Sequence, residues 1–212
     1  KARGIVPEWS DFGGGQFALA SIAANAGGGP ADVVLLLGTR VGMFTGTGPR
    51  SFIPPGARVI QVDIEPEEIG RGRDVDVALV GDVRETLTLM MDRARGRQFK
   101  DHTPWVKALG ATKKALRGMY DAAAAKNEPI HQSRLAREIA DVLQGDGIIV
   151  ADGGETSLWM AEQAIVLNAG DFLSHGYLGC LGVGIPFAIA AKVARPEKRV
   201  VTIVGDGSAG LN

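Results

Sequence analysis

Short apolar runs recur along this chain, and most of them close on a glycine or an acidic residue. Val33-Val34-Leu35-Leu36-Leu37-Gly38, Arg58-Val59-Ile60-Gln61-Val62-Asp63 and Val75-Asp76-Val77-Ala78-Leu79-Val80 read as successive strands. Near-continuous apolar character predicts that they are covered on both faces, as in a parallel sheet. Over 82–94 the period changes: Val83, Leu87, Met90, Met91 and Ala94 fall at helical spacing behind Asp82, a side chain suited to cap a helix. A charged loop, 95–102, leads to a helix predicted over 104–126, with Thr103 as cap and Pro104 in the first turn. Asn127-Glu128-Pro129 then breaks the pattern and marks a domain boundary.

The second half repeats the alternation. A helix is predicted over 132–143, with Leu135, Ile139, Val142 and Leu143 as its apolar stripe, before the buried strand Gly147-Ile148-Ile149-Val150-Ala151-Asp152. A helix over 157–166, the short segment Phe172-Leu173-Ser174 and a small-residue helix from the Gly179 turn to Ala194 follow. The strand Val200-Val201-Thr202-Ile203-Val204 closes the series. Strand, helix, strand order predicts an α/β protein with two doubly wound, parallel-sheet, Rossmann-like domains, 1–128 and 129–212, the second incomplete.

Composition narrows the class without naming it. The 212 residues are 45% hydrophobic and 22% charged with a net charge of −1, so bulk electrostatics favours neither nucleic acid nor an anionic membrane. No apolar stretch reaches the ~20 residues of a membrane span. A single cysteine, Cys180, rules out an internal disulfide, and with no signal peptide a cytoplasmic location is expected. The first residues, Lys1-Ala2-Arg3, lack an initiator Met, and the chain stops at Asn212 just after a ligand-type turn, so a piece of a longer protein is expected.

That turn, Gly205-Asp206-Gly207-Ser208, is the sharpest chemical signal. Glycines at a strand end let backbone amides approach a phosphate, and Asp206 between them is suited to a hard cation such as Mg²⁺. In a doubly wound sheet the ligand sits beyond the strand C-termini. Three segments are predicted to converge there: Asp152-Gly153-Gly154-Glu155-Thr156, His175-Gly176-Tyr177-Leu178-Gly179 and Gly205-Asp206-Gly207-Ser208.

These three segments, in this order and spacing, resemble the thiamine diphosphate (ThDP) enzymes of the acetolactate synthase and pyruvate decarboxylase superfamily. The resemblance is nearest to benzaldehyde lyase, through 151–159 and 175–184, while Leu36-Leu37-Gly38-Thr39-Arg40-Val41-Gly42 and Val59-Ile60-Gln61-Val62-Asp63 resemble its middle domain. It implies a ThDP- and Mg²⁺-dependent enzyme that makes or cleaves carbon–carbon bonds of 2-hydroxy ketones, 2-oxo acids or 2-hydroxyacyl thioesters, with acetolactate synthase, large catalytic subunit, as the alternative. Gly179 would offer its carbonyl to the aminopyrimidine, Leu181 would be the apolar wedge that bends the cofactor, and His175 would line the substrate pocket and relay protons. Gly154, Glu155 and Thr156 would touch the cofactor, Gly205, Gly207 and Ser208 the diphosphate, and Asp206 the Mg²⁺. Ser157 stands in the pocket wall where benzaldehyde lyase has a bulky aromatic, and Leu181 replaces a Met.

The resemblance further implies a homodimer or homotetramer acting on a small carbonyl substrate. The activating Glu belongs to an N-terminal domain, so the piece alone is expected to be inactive. The middle domain is read as a scaffold. FAD, or ADP or CoA, is the other occupant known in the superfamily, with Gly38, Thr39, Arg40 and Asp63 as its contacts. No Gly-x-Gly-x-x-Gly precedes Asp63. A non-catalytic nucleotide-binding or dimerisation module is the further alternative. Arg40 and Arg71 are read as ion-pair residues, His102 and His131 as solvated or capping, and Cys180 as a packing residue at a helix start. Gly182, Gly184, Ala188 and Ala191 form a small-residue face able to approach a sheet or a second subunit.

Overall fold

Among the described residues, six strands form two parallel three-stranded sheets, one in each of two compact units. The structure is a computed structural model and describes residues 2–42, 45–46, 48, 51–125 and 128–212. One unit is Gln16–Thr112; the other joins Lys1–Gly15 to Lys113–Asn212, so the division falls inside a long helix. The parallel α/β class expected from the alternation is what the sheets show.

In the unit Gln16–Thr112, helix α1 (Ala18–Ala23) runs into a π turn, Ala24–Gly28. Strands β1 (Val33–Leu37), β2 (Arg58–Asp63) and β3 (Val77–Val80) lie side by side in chain order. The third strand starts two residues later than expected, because Asp76 turns its side chain to the sheet: Oδ2 accepts from Val59 N at 2.7 Å. Leu36, Val41, Ile53, Ala57 and Val59 make the core. Coverage on both faces does not hold here, since Val33 and Val77 are 45% and 44% exposed.

Helix α2 (Val83–Ala94) has the expected cap, Asp82 accepting from Glu85 N at 3.1 Å. None of its residues is fully buried; Val83, Leu87, Met90 and Ala94 face inward in part, and Met91 faces out. Helix α3 (Thr103–Ala124) includes Thr103 instead of being capped by it, and Asp101 Oδ1 accepts the Thr103 amide at 2.9 Å. Lys126 and Asn127, the expected helix end and break, lie outside the described residues. No helix among the described residues is long and apolar enough to cross a membrane.

The other unit is built on β4 (Ile148–Asp152), with β5 (Phe172–Ser174) on one side and β6 (Val200–Val204) on the other. Helices α4 (Gln132–Leu143) and α5 (Glu155–Gln163) cover one face through Ala136, Ala140, Leu143 and Met160 against Ile149, Ala151 and Ile203. Helix α6 (Gly184–Ala194) covers the opposite face, its Ala191 and Ala188 against Ile148, Val150 and Val200. The small-residue face of α6 therefore approaches its own sheet. Met160 is wholly buried, and truncating such a side chain to Ala costs about 2–5 kcal/mol.

Helix α5 covers Glu155–Gln163 in place of the expected 157–166, and two further expectations are corrected in this unit. The stripe of α4 is Ser133, Ala136, Ala140 and Leu143, while Leu135 and Val142 are exposed; the small side chains admit close packing that the larger ones would block. Helix α6 begins at Gly184 and not after Gly179, so Cys180 is an exposed loop residue and not a helix start. His131 does cap α4, its Nδ1 accepting from Ser133 N at 3.1 Å.

Candidate functional site

The chain runs from β4 through α5 to β5, then crosses back through α6 to β6 on the other side of β4. The C-terminal end of β4 is thus a topological switch point, where parallel α/β sheets leave a crevice open for ligands. Register brings the predicted segments to that edge: Ala151 pairs with Ser174, and Asp152 with Val204. The three segments therefore leave neighbouring strands side by side, with 152–156 in the middle.

All five residues of β4 are buried, and the last is Asp152, with no solvent exposure. Its Oδ2 accepts from the amides of Gly182 at 2.9 Å and Gly184 at 2.8 Å, and its carbonyl accepts from Gly205 N at 3.1 Å. Its Oδ1 is buried without a hydrogen-bond partner among the described residues. Asn212 Nδ2 donates to the Gly182 carbonyl at 3.1 Å. This one carboxylate ties the loop 175–183 and the start of α6 to the strand end.

Two glycines make that packing attainable. Gly153 turns the chain from β4 into α5 at φ 115°, and a Cβ there would stand 3.3 Å from Gly205 N. At Gly184 a Cβ would stand 2.8 Å from Asp152 Cβ and 2.9 Å from Val204 Cγ2, distances no side chain tolerates. Beside Gly205, the Thr156 and Ser208 hydroxyls flank one point, each 3.9 Å from where its Cβ would be.

Gly154 is the exposed residue before α5, and Glu155 and Thr156 form the first turn of that helix, which begins two residues earlier than expected. Glu155 accepts from Gln132 Nε2 at 3.2 Å. Ser157 lies within α5, its Oγ closed off and without a partner among the described residues. His175 follows β5, half-buried, with Nδ1 3.1 Å from the Gly176 carbonyl oxygen. Gly179 and Leu181 are exposed in the same loop, with open space beside Gly179. Asp206 and Gly207 are exposed on the one-turn helix α7 (Asp206–Ala209), and Ser208 is buried.

The residues present fit a diphosphate-type ligand in part. Gly154, Gly179 and Gly207 each leave open space where a side chain would stand, and the Thr156 and Ser208 hydroxyls both flank Gly205. Among the described residues, no group of three or more His, Cys, Asp or Glu is placed to hold a metal ion.

Next to α5, Trp159 packs edge-on against His131 at 4.7 Å and Tyr120 at 6.1 Å. Burial pushes the Tyr120 phenol up, and the Glu162 carboxylate beside it adds to the shift. The residue that sequence reasoning left without a role is Asp152. Its signal was a carboxylate closing an all-apolar strand.

In the other unit the candidate nucleotide contacts are engaged internally. Arg40 and Arg71 both pair with Glu68, at 3.0 and 2.9 Å, and Asp63 Oδ1 accepts from Glu65 N at 3.0 Å. The ion-pair reading of the two arginines holds.

Comparison with known proteins agrees with this geometry. Residues 1–90 match the thiamine pyrophosphate enzyme central domain, and residues 152–212 match the thiamine pyrophosphate enzyme C-terminal TPP-binding domain. The chain belongs to the thiamine pyrophosphate enzymes, carrying sequence of their central domain followed by sequence of their TPP-binding domain. Among individual relatives, it is 32% identical over 196 residues to a probable acetolactate synthase large subunit of Methanocaldococcus jannaschii, covering 90% of this chain and 32% of that protein. It is 31% identical over 187 residues to the acetolactate synthase large subunit of Lactococcus lactis, covering 88% of this chain and 32% of that protein. A 31% match over 214 residues to an acetolactate synthase large subunit of Mycobacterium tuberculosis covers 100% of this chain and 37% of that protein. The chain thus spans about a third of the length of the relatives it matches. Their names favour the acetolactate synthase alternative over the benzaldehyde lyase resemblance.

Proposed function

We propose that the protein carrying this chain is a ThDP- and Mg²⁺-dependent enzyme of the acetolactate synthase type, joining 2-oxo acids through a new carbon–carbon bond. The observation that carries the reading is the convergence of 152–156, 175–183 and 205–208 on one edge of the sheet at its switch point, within the part matched to a TPP-binding domain. The relatives' names support acetolactate synthase chemistry more than lyase chemistry, and Leu181 and Ser157 already depart from the benzaldehyde lyase pattern.

When bound, ThDP supplies a nucleophilic carbon and an electron sink for the carbon–carbon step. Gly154, Glu155 and Thr156 at the start of α5, with Gly205, Gly207 and Ser208 after β6, would hold the cofactor, and Asp206 would contribute one ligand to the Mg²⁺ that neutralises its diphosphate. Gly179 and Leu181 would orient the ring system. His175 would face the substrate with Ser157 nearby and move a proton at its carbonyl oxygen. Residues 1–128 would serve as the middle domain, read as a scaffold because Arg40 and Asp63 are already engaged, and 129–212 as the start of the diphosphate-binding domain. A cytoplasmic homodimer or homotetramer completes the proposal.

The test is calorimetric titration of the intact protein with ThDP, with and without Mg²⁺, followed by product analysis. Saturable binding that needs Mg²⁺, with a 2-oxo acid converted to acetolactate, is the expected result. Cleavage of a 2-hydroxy ketone without acetolactate formation would return the assignment to the lyase chemistry. Absence of ThDP binding would overturn both.

A further inference from the structure

We propose that Asp152 is the positioning residue of this crevice, setting the loop that carries Gly179 and Leu181 for cofactor binding; the inference rests on the ThDP reading above. The Asp152 side chain is wholly buried, and among the described residues its hydrogen bonds go to neither the segment 205–208 nor solvent. What its Oδ2 holds is the pair of amides at Gly182 and Gly184, at 2.9 and 2.8 Å, from residues 30 and 32 positions away. Gly184 is the first residue of α6, and Val183 before it supplies no side-chain cap. A carboxylate from the central strand thus takes the place of a cap, satisfying an amide that a helix start leaves open and adding the favourable charge for that end.

The consequence reaches the loop. Residues 175–183 contain no helix or strand, and Gly179 and Leu181 lie exposed within three residues of the Gly182 amide. Without the Oδ2 anchor, two buried amides lose their acceptor and the loop loses its attachment to the strand end. Gly184 shows how tightly the contact is drawn, since its Cα lies where any Cβ would collide with Asp152. Only one carboxylate oxygen does this work, because Oδ1 has no partner among the described residues. An amide in place of the carboxylate can therefore keep the anchor, with its oxygen at the Oδ2 position.

The experiment compares D152N, D152L and G184A in the intact protein, using hydrogen exchange of the peptide spanning 180–186 and calorimetric ThDP/Mg²⁺ affinity. D152N is expected to keep the wild-type protection and an affinity within about threefold. D152L is expected to lose protection at 182 and 184 and to weaken ThDP binding about tenfold or more, the scale seen when a group orienting a ligand set is removed. G184A keeps the carboxylate but displaces the amide, so it is expected to behave like D152L even if D152L does not fold. Either D152L or G184A binding ThDP as wild type, with 180–186 unprotected, overturns the proposal while leaving the ThDP reading intact. So does D152N weakening as much as D152L. Wild-type protein that shows protection at 180–186 but no ThDP binding sinks the underlying reading instead.

Discussion

Both central strands end on an aspartate at the same edge of their sheets, yet the two carboxylates do different things. Asp63 closes β2 and accepts from Glu65 N, two residues on, in a local turn. Asp152 closes β4 and reaches across to amides of another segment. The sheets around them differ in the same sense. Strand β4 is buried at every position between helices on both faces, whereas β1 exposes alternate residues, β3 exposes three of its four and α2 buries none of its side chains fully. An apolar strand closed by Asp is therefore one sequence signal with two structural meanings. The distance over which the carboxylate finds its donors separates them.

The largest expected effect tests that separation directly. Removing the Asp152 side chain in D152A strands two buried amides that shared a carboxylate, which should cost about 3 kcal/mol or more. D63A breaks one short-range turn bond and should cost about 1 kcal/mol. Chemical denaturation of each variant gives the comparison. Equal losses would show that the long-range anchor stabilises no more than a turn.

A second pair reverses the order. Gln61 and Gln163 are both fully buried, one in each unit. Gln61 donates to the carbonyls of Thr39 at 3.2 Å and Glu68 at 3.0 Å and accepts from Gly70 N at 3.0 Å. Gln163 donates from Nε2 to Ser133 Oγ at 2.8 Å, and its Oε1 has no partner among the described residues. Ser133 Oγ also donates to the Tyr120 carbonyl, so it keeps a partner without Gln163. Q61L should cost about 2–3 kcal/mol and Q163L about 1 kcal/mol or less, read as shifts in denaturation midpoint. The reverse ranking would mean that the polar network of the first unit is dispensable.

How far the sequence carried the fold follows from the range of the interactions involved. Strands 58–63 and 200–204 and helix 132–143 were legible because period and end signals are local, while 172–174 was marked only as a short segment. The start of α6 was not, because what holds 180–183 out of the helix lies 30 residues upstream at Asp152. The α4 stripe was misjudged because period identifies a face only to within a rotation, and packing against α5 selected Ala136 and Ala140 over Leu135 and Val142. The convergence of three loops was legible from strand order and glycine placement. The role of Asp152 was not, since a turn aspartate such as Asp63 carries the same local sequence.

The smallest expected effects lie where the two units should not differ. Arg71, 60% exposed, pairs with Glu68 at 2.9 Å in one unit, and Glu138, 56% exposed, pairs with Arg134 at 2.6 Å in the other. Arg134 and Glu138 sit one turn apart on α4, and Arg71 follows the short turn that carries Glu68; with Arg71 and Glu138 facing water, Coulomb attraction is screened and fixing two long side chains offsets most of it. R71A and E138A should each shift stability by less than about 0.5 kcal/mol, with the shift shrinking further in high salt. Denaturation midpoints at low and high ionic strength check this. Near-equal, salt-sensitive losses in the two variants would leave the buried carboxylates and amides as the source of the contrast between the sheets. A loss at Arg71 comparable to that of Q61L would instead make Glu68, which Arg40 also engages and whose Oε2 is buried without a partner among the described residues, a structural centre of the first unit.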